Sequence, residues 1–345
     1  MLRKFTANPD RNWLLAVVLH SCAKFADGAQ LTNLEQSVVT AFRKSGLTDD
    51  DIKKHGDADK RLPQQMRSGM FTSRFAQLDV KQAYSNADLA QDAPGIVTSV
   101  LRLPTVRQLD VPAIHAGTAT LADFRSPTRA LLREHATSML VALDPQAPAA
   151  AASAANPRVT IKATSFKCID RQDDGPFSSN EAYWIFGSLG DGRTITTRSQ
   201  VFGDVDNGES RNFASTDGVI WGQNGAAQAL PATDIGTLVS LWEHDKGDLG
   251  DVRKNVAAAF TAASGVLAVT GAAAWVAAVT AGVGAVVVWL LGYMDDDHIA
   301  DSSWVYNRAL LAKQLPNVGS EFTTKSRFTD GDGDYLLSIR VARSS

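Results

Sequence analysis

Between Asn255 and Leu291 the chain runs for 37 residues without one charged side chain, rich in Ala and Val and broken by Gly265, Gly271, Gly282 and Gly284. As a single helix this stretch would be about 55 Å long, close to twice the hydrocarbon thickness of a bilayer. Two arms of about 17 or 18 residues fit better, folded back near Thr270-Gly271, with the whole excursion covering 252–293. Asp248, Asp251, Arg253 and Lys254 flank one end and Asp295-Asp296-Asp297 the other, with Trp289 and Tyr293 where interfacial aromatics would sit. Both ends therefore stay on one side.

The pair has fifteen larger apolar side chains, among them Phe260, Leu267, Trp275, Val279, Val287, Trp289, Leu290 and Leu291. Each represents roughly 1.5–3 kcal/mol when buried, and together they reach on the order of 20–45 kcal/mol. A whole domain keeps only about 5–15 kcal/mol of net stability, so exposure of this surface to water is excluded. Protein, membrane or a second copy must cover it. Charge-free length, small residues that let helices approach closely in lipid, and the position as an excursion from a sheet favour membrane insertion. A helix pair permanently at the centre of a core is the competing reading, because buried helices are often apolar all round.

The rest of the chain is long enough for two cores, with 345 residues, 44% apolar and 21% charged. A net charge of −3 gives no support to a nucleic-acid partner. Cys22 and Cys168 are too few for a zinc quartet. The chain has no HExxH pair, Gly-x-Ser-x-Gly elbow or phosphate-binding Gly loop, so no catalytic residue is named and an enzyme is not the expected class. The apolar run Trp13 to Leu19 is too short and too close to Asp10 for an export signal, so release would need a dedicated machine or lysis.

Residues 1–144 read as a helical bundle. Leu14, Val17, Val18, Cys22 and Phe25 recur at helical spacing, as do Leu34, Val38, Val39 and Phe42, with Gly28 and Gly46 as stops. Thr48 with Asp49-Asp50-Asp51 reads as an N-cap, and Ala87 to Leu103 and Ser126 to Leu143 are further helical stretches. Arg125, Arg129 and Arg133 form a positive stripe that reads as a solvated face. An Ala/Pro-rich linker is expected at 145–157.

Residues 158–345 alternate in the manner of an antiparallel β-sandwich. Tyr183 to Leu189 and Arg193 to Phe202 flank the Gly190-Asp191-Gly192 turn, Thr237 to Trp242 is a further strand, and Phe322 to Phe328 pairs with Tyr335 to Val341. The aspartates of 330–334 imitate the start of an EF-hand, but Tyr335 replaces its glycine and Val341 its bidentate glutamate, so a hairpin turn is expected there. The whole reads as α+β: a helical bundle, then a sandwich carrying the apolar helical hairpin. Trp184, Trp221 and Trp304 are expected in its core, with stacking on a ligand as the rival role.

Two acidic loops, 166–185 and 239–251, each follow a strand. Calcium takes six to eight oxygens, which carboxylates from two loops at one end of a sandwich can supply. The loops resemble the calcium-dependent lipid-binding domain of the protein-kinase-C type, over about 30 residues. That resemblance implies Asp170 or Asp174 and Asn180 as first-loop ligands, and Glu243, Asp245 and Asp248 as third-loop ligands. Asn180 and Glu243 depart from the family's acids. The 37-residue stretch separately resembles the hydrophobic hairpin of pore-forming colicins. Together the resemblances imply a bacterial toxin or effector that docks on a membrane, with Ca2+ bridging to anionic headgroups, and inserts the hairpin. Self-association and a delivery machine or chaperone are the further partners this implies. A non-catalytic binding or structural module with the hairpin in its core is the rival.

Overall fold

The computed structural model describes residues 2–118, 127–143, 157–171, 181–190, 192–223, 226–231, 234–244, 249–268, 273–292, 296–331 and 333–344. The protein is α+β, with helices and two multi-strand sheets. In chain order the first elements are α1 (Leu2–Thr6), α2 (Trp13–Ala26), α3 (Asn33–Lys44), α4 (Asp49–Arg61), α5 (Gln64–Met70), α6 (Ser73–Ala76) and α7 (Asn86–Leu101). Next come β1 (Val106–Asp110), α8 (Val111–Ala116), α9 (Arg129–His135), β2 (Thr137–Leu143), β3 (Arg158–Asp170), β4 (Ala182–Gly190) and β5 (Arg193–Arg198). The short β6 (Ser210–Asn212), β7 (Val219–Trp221) and β8 (Gln228–Ala229) precede β9 (Ile235–Glu243). The chain closes with α10 (Leu249–Leu267), α11 (Ala273–Leu291), β10 (Asp297–Tyr306), α12 (Arg308–Gln314), β11 (Glu321–Thr329) and β12 (Asp334–Arg343).

Two compact units result, each drawn from two stretches: Met1–Leu103 with Asp248–Asp295, and Pro104–Gly247 with Asp296–Ser345. This differs from a division into 1–144 and 158–345. Residues 104–143 go with the sheets, and the apolar helix pair goes with the first hundred residues. The expected linker at 145–157 lies outside the described residues except Pro157.

Local chemistry sets the helices of the first unit. Thr32, Thr48 and Ser85 each accept the N3 backbone N–H, while Glu35, Asp51 and Asp88 reach back to the cap, which satisfies donors a helix start leaves orphaned. At the centre, α11 packs against α2, α7 and α10, while α10 packs on α3. The expected fold-back is present as two 19-residue arms. Its turn at Thr270-Gly271 lies outside the described residues.

In the second unit one six-stranded sheet has the order β1-β2-β10-β9-β4-β5, and the other runs β11-β12-β3-β6, with β7 and β8 also on β3. The first sheet is mixed rather than antiparallel throughout, because β1, β2 and β10 run parallel. A parallel neighbour needs a crossover connection, and α8 and α9 lie in it. The stretch 126–143 is accordingly not one helix: Ala136 takes a left-handed φ of 50° that ends α9, and β2 follows as a run buried from Thr137 to Met139 and again at Val141 and Ala142.

The two sheets share one core. Trp184 of the first meets Phe328 of the second edge-on at 4.9 Å, and Phe166 touches Trp184, Phe202, Phe213 and Tyr335. Trp221 and Trp304 are buried there too. The β4–β5 turn forms where expected, with Gly192 at a φ of 69°. The β11–β12 connection is a hairpin: Asp330 lies in it and Asp334 opens β12 opposite Thr329, while Asp332 lies outside the described residues.

Candidate functional site

The helix pair is an insertion between two strands that are direct neighbours. β9 and β10 pair antiparallel from Glu243↔Asp297 to Ile235↔Tyr306, and everything between them in sequence is the excursion. Both ends of the pair are thus tied to adjacent positions of one sheet. The neck is held by Asp296, whose carboxylate accepts from the Tyr183 hydroxyl at 2.8 Å and pairs with His244 Nδ1 at 3.1 Å. Burial, together with the charge of Asp296, drives the Tyr183 pKa far up, so its proton stays.

Every residue assigned to insertion is buried: Phe260 and Leu267 on α10, and Trp275, Val279, Val287, Trp289, Leu290 and Leu291 on α11. Trp289 packs edge-on against Phe5 at 6.0 Å rather than standing at a boundary. The segment Ala274–Leu291 is long and apolar enough to cross a membrane, and 94% of it is buried inside the protein. Core helices of soluble proteins share that length and composition.

Polar groups sequence reading missed hold the pair in place. Arg11 Nε donates to the Ala281 carbonyl at 2.9 Å, and Trp13 Nε1 to the Ala278 carbonyl at 3.2 Å, both in the middle of α11. Gly282 permits this approach, since a Cβ there would lie 2.6 Å from Leu14 Cβ. Trp275 stacks obliquely on Trp13 at 4.9 Å and donates to the Val266 carbonyl, which ties the two arms together.

A second buried network stands behind α2. Glu35 Oε1 accepts from His20 Nε2 at 3.1 Å, Lys24 at 3.1 Å and the Tyr84 backbone at 2.9 Å, while Oε2 accepts from the Thr32 backbone at 2.7 Å. Burial alone would raise the Glu35 pKa, but the donors His20, Thr32, Lys24 and Tyr84 outweigh it and hold it down to about 2. One sequence sign of this site exists: His20 and Lys24 interrupt an apolar helix face four residues apart, and Glu35 is the acid of the Thr32 capping box. At the charged start of α10, a cavity of about 430 Å³ is lined by Asp51, Lys54, His55, Asp251, Lys254 and Leu290 among others. Burial lowers the His55 pKa to about 4.

The expected calcium ligands fall differently. Asp170, at the end of β3, lies 3.6 Å from Arg129, which also pairs with Asp334 at 2.9 Å. Glu243, at the end of β9, accepts from the Glu181 backbone at 3.4 Å. Asp174, Asn180, Asp245 and Asp248 lie outside the described residues. Among the described residues no group of three or more His, Cys, Asp or Glu could hold a metal ion. Arg129 and Arg133 are exposed, as a solvated face would be, while Arg129 faces the two aspartates and Arg133 donates to the Gly331 carbonyl; Arg125 lies outside the described residues. Both cysteines are free and buried, and burial raises each thiol's pKa.

No family model and no curated protein matches the chain. Among solved structures it is similar to human GIVD cytosolic phospholipase A2 at 10% identity and a TM-score of 0.25, over 56% of this chain and 17% of that one. The same enzyme in complex with methyl gamma-linolenyl fluorophosphonate gives 9% identity and a TM-score of 0.24, over 55% of this chain and 17% of that one. A structure of CC2D1B gives 10% identity and a TM-score of 0.25, over 90% of this chain and 85% of that one.

Proposed function

We propose that the protein is a membrane-active toxin or effector in its closed, water-compatible form: a helical bundle and a β-sandwich, with α10–α11 as the element that enters the bilayer. The observation that carries this reading is the origin of the pair. It leaves and re-enters the sheet at paired neighbours, so both ends stay anchored on one side while the arms change surroundings. Its cover is supplied by another stretch of chain, residues 1–103. Without a charge on any face, α11 would carry no charged side chain into lipid on exchanging apolar protein for it.

The test is a reversible lock. A Cβ built at Gly265 lies 4.0 Å from Ser37 Cβ, within the separation a disulfide needs, so Ser37→Cys with Gly265→Cys ties α10 to α3. Leakage of dye from anionic liposomes is measured across pH, with calcium and with chelator, before and after reduction. Oxidised protein should be inactive and reduced protein active. Leakage under no condition, or leakage indifferent to the lock, overturns the proposal. Activity that needs calcium adds the expected bridge at 170–180 and 243–248, and activity equal in chelator removes it.

One observation favours the rival reading, a module whose hairpin stays in the core. Arg11 and Trp13 are buried and donate into the middle of α11, and departure of that helix would strip both of these acceptors. Hydrogen exchange separates the readings: protection of 255–291 that is unchanged by vesicles supports the core, and protection that rearranges supports insertion.

A further inference from the structure

The edge of the second sheet carries a cavity unrelated to the helix pair. Along β3, the ladder is made by β6 at 165–167 and by β7 at 161–162, and between these two pairings residues 214–217 swing away from the strand. The swing is held at both sides. The Ala163 backbone N–H donates to the Gly218 carbonyl at 2.8 Å, and a Cβ at Gly218 would run into the Ala163 carbonyl, so only glycine lets the segment come this close. Lys162 Nζ donates to the Ser215 carbonyl at 2.7 Å. The space enclosed is about 280 Å³ and is lined by Thr160, Lys162, Ser215, Thr216, Trp221 and Arg340 among others.

The chemistry of this lining is one-sided. Lys162 and Arg340 are register partners on neighbouring strands, where like charges repel. Burial pulls the Lys162 pKa down, Arg340 adds to that, and Asp217 only partly opposes it. Asp217 is already engaged by the Gln200 backbone at 3.3 Å and the Thr216 hydroxyl at 3.4 Å. Arg340 has an ion pair with Glu321 only at 3.7 Å, leaving its guanidinium half exposed. The wall thus offers two cations and hydroxyls, and no carboxylate lines it.

We propose that this cavity binds the phosphate or sulfate group of a small anionic molecule, with Lys162 and Arg340 on its oxygens and the hydroxyls of Thr160 and Thr216 beside them. An oxyanion between the two cations removes their repulsion and supplies charge-assisted hydrogen bonds. The same chemistry is offered by a free phosphate ester and by a phospholipid headgroup. The site does not rest on the insertion reading, since a protein that never permeabilises a vesicle would still bind.

Calorimetric titration of the whole chain with inorganic phosphate, sulfate and glycerol 3-phosphate, at chloride-matched ionic strength, tests it. Saturable binding is expected, weakened about tenfold or more by Lys162→Gln and by Arg340→Gln. Lys162 and Arg340 stand on the solvent side of their strands, so their variants keep the fold and read out binding. Co-sedimentation with phosphatidylcholine vesicles, with and without phosphatidic acid, gives the second arm. Loss of vesicle binding in the two cation variants without binding of free esters assigns a headgroup. Binding of free esters alone assigns a soluble ligand. Absence of binding in both arms, or binding indifferent to both cation variants, overturns the proposal.

Discussion

A single carboxylate ties together three segments of the helical unit. Glu35 takes hydrogen bonds from α2 through His20 and Lys24, from its own cap through Thr32, and from the segment before α7 through Tyr84. Glu35→Gln would leave Lys24 buried without its counter-charge, which costs on the order of 3–5 kcal/mol, read as a lower urea midpoint. The pH dependence has a definite sign. The folded pKa of about 2 lies below the ordinary 4.5, so the contribution of Glu35 is complete above pH 4.5 and is lost as pH falls toward 2. His55 acts earlier: burial holds its imidazole neutral, with a pKa lowered from 6.5 to about 4, so stability is lost as pH falls through that window. The urea midpoint should therefore drop in two stages on acidification. His55→Gln should flatten the upper stage and Glu35→Gln the lower. A wild-type midpoint constant from pH 6.5 to 4 would rule out a buried neutral His55.

Among the elements, α11 is the sharpest case. Val287 is wholly buried on a helix without charge, so Val287→Asp places a carboxylate among apolar neighbours and should destabilise the helical unit by about 3–5 kcal/mol. Loss of helical circular dichroism at lower urea measures it, and an unchanged midpoint would mean that α11 is not enclosed. This pair was legible in the sequence because absence of charge over 37 residues is a signal no other element imitates. The β4–β5 turn was legible for a local reason too, since Gly192 must take positive φ. What escaped depends on distant partners. β2 reads as helix when taken with α9, because a central strand buried on both faces loses the alternation that marks a strand. Arg129 is exposed as its stripe suggests, but the acids that β3 and β12 bring beside it, Asp170 and Asp334, could not be read from its own helix. The clasp at Glu35 joins side chains 11 and 15 positions apart, beyond any helical repeat.

For the molecule as a whole, connectivity makes an asymmetric demand. The helical unit needs both of its stretches, because α11 lies at its centre and arrives from residues 248–295. The sheet unit does not need the excursion. His244 and Asp296 already meet at 3.1 Å, and β9 and β10 already pair, so Asn-Gly can join them as a tight turn in place of 245–295. A chain of 104–345 shortened in this way should unfold cooperatively in urea with its strand circular dichroism intact. Residues 1–103 alone should show no cooperative transition, having lost the apolar helix around which α2 and α7 close. Were 1–103 to fold unaided, the helix pair would be a guest in a finished bundle instead of its centre, and the closed form could release it without unfolding. Were it to stay unfolded, release of the pair would dismantle its cover, and insertion would be coupled to loss of the helical unit. The two mechanisms differ in one measurable quantity: the protection of α2 amides on vesicle binding, retained in the first and lost in the second.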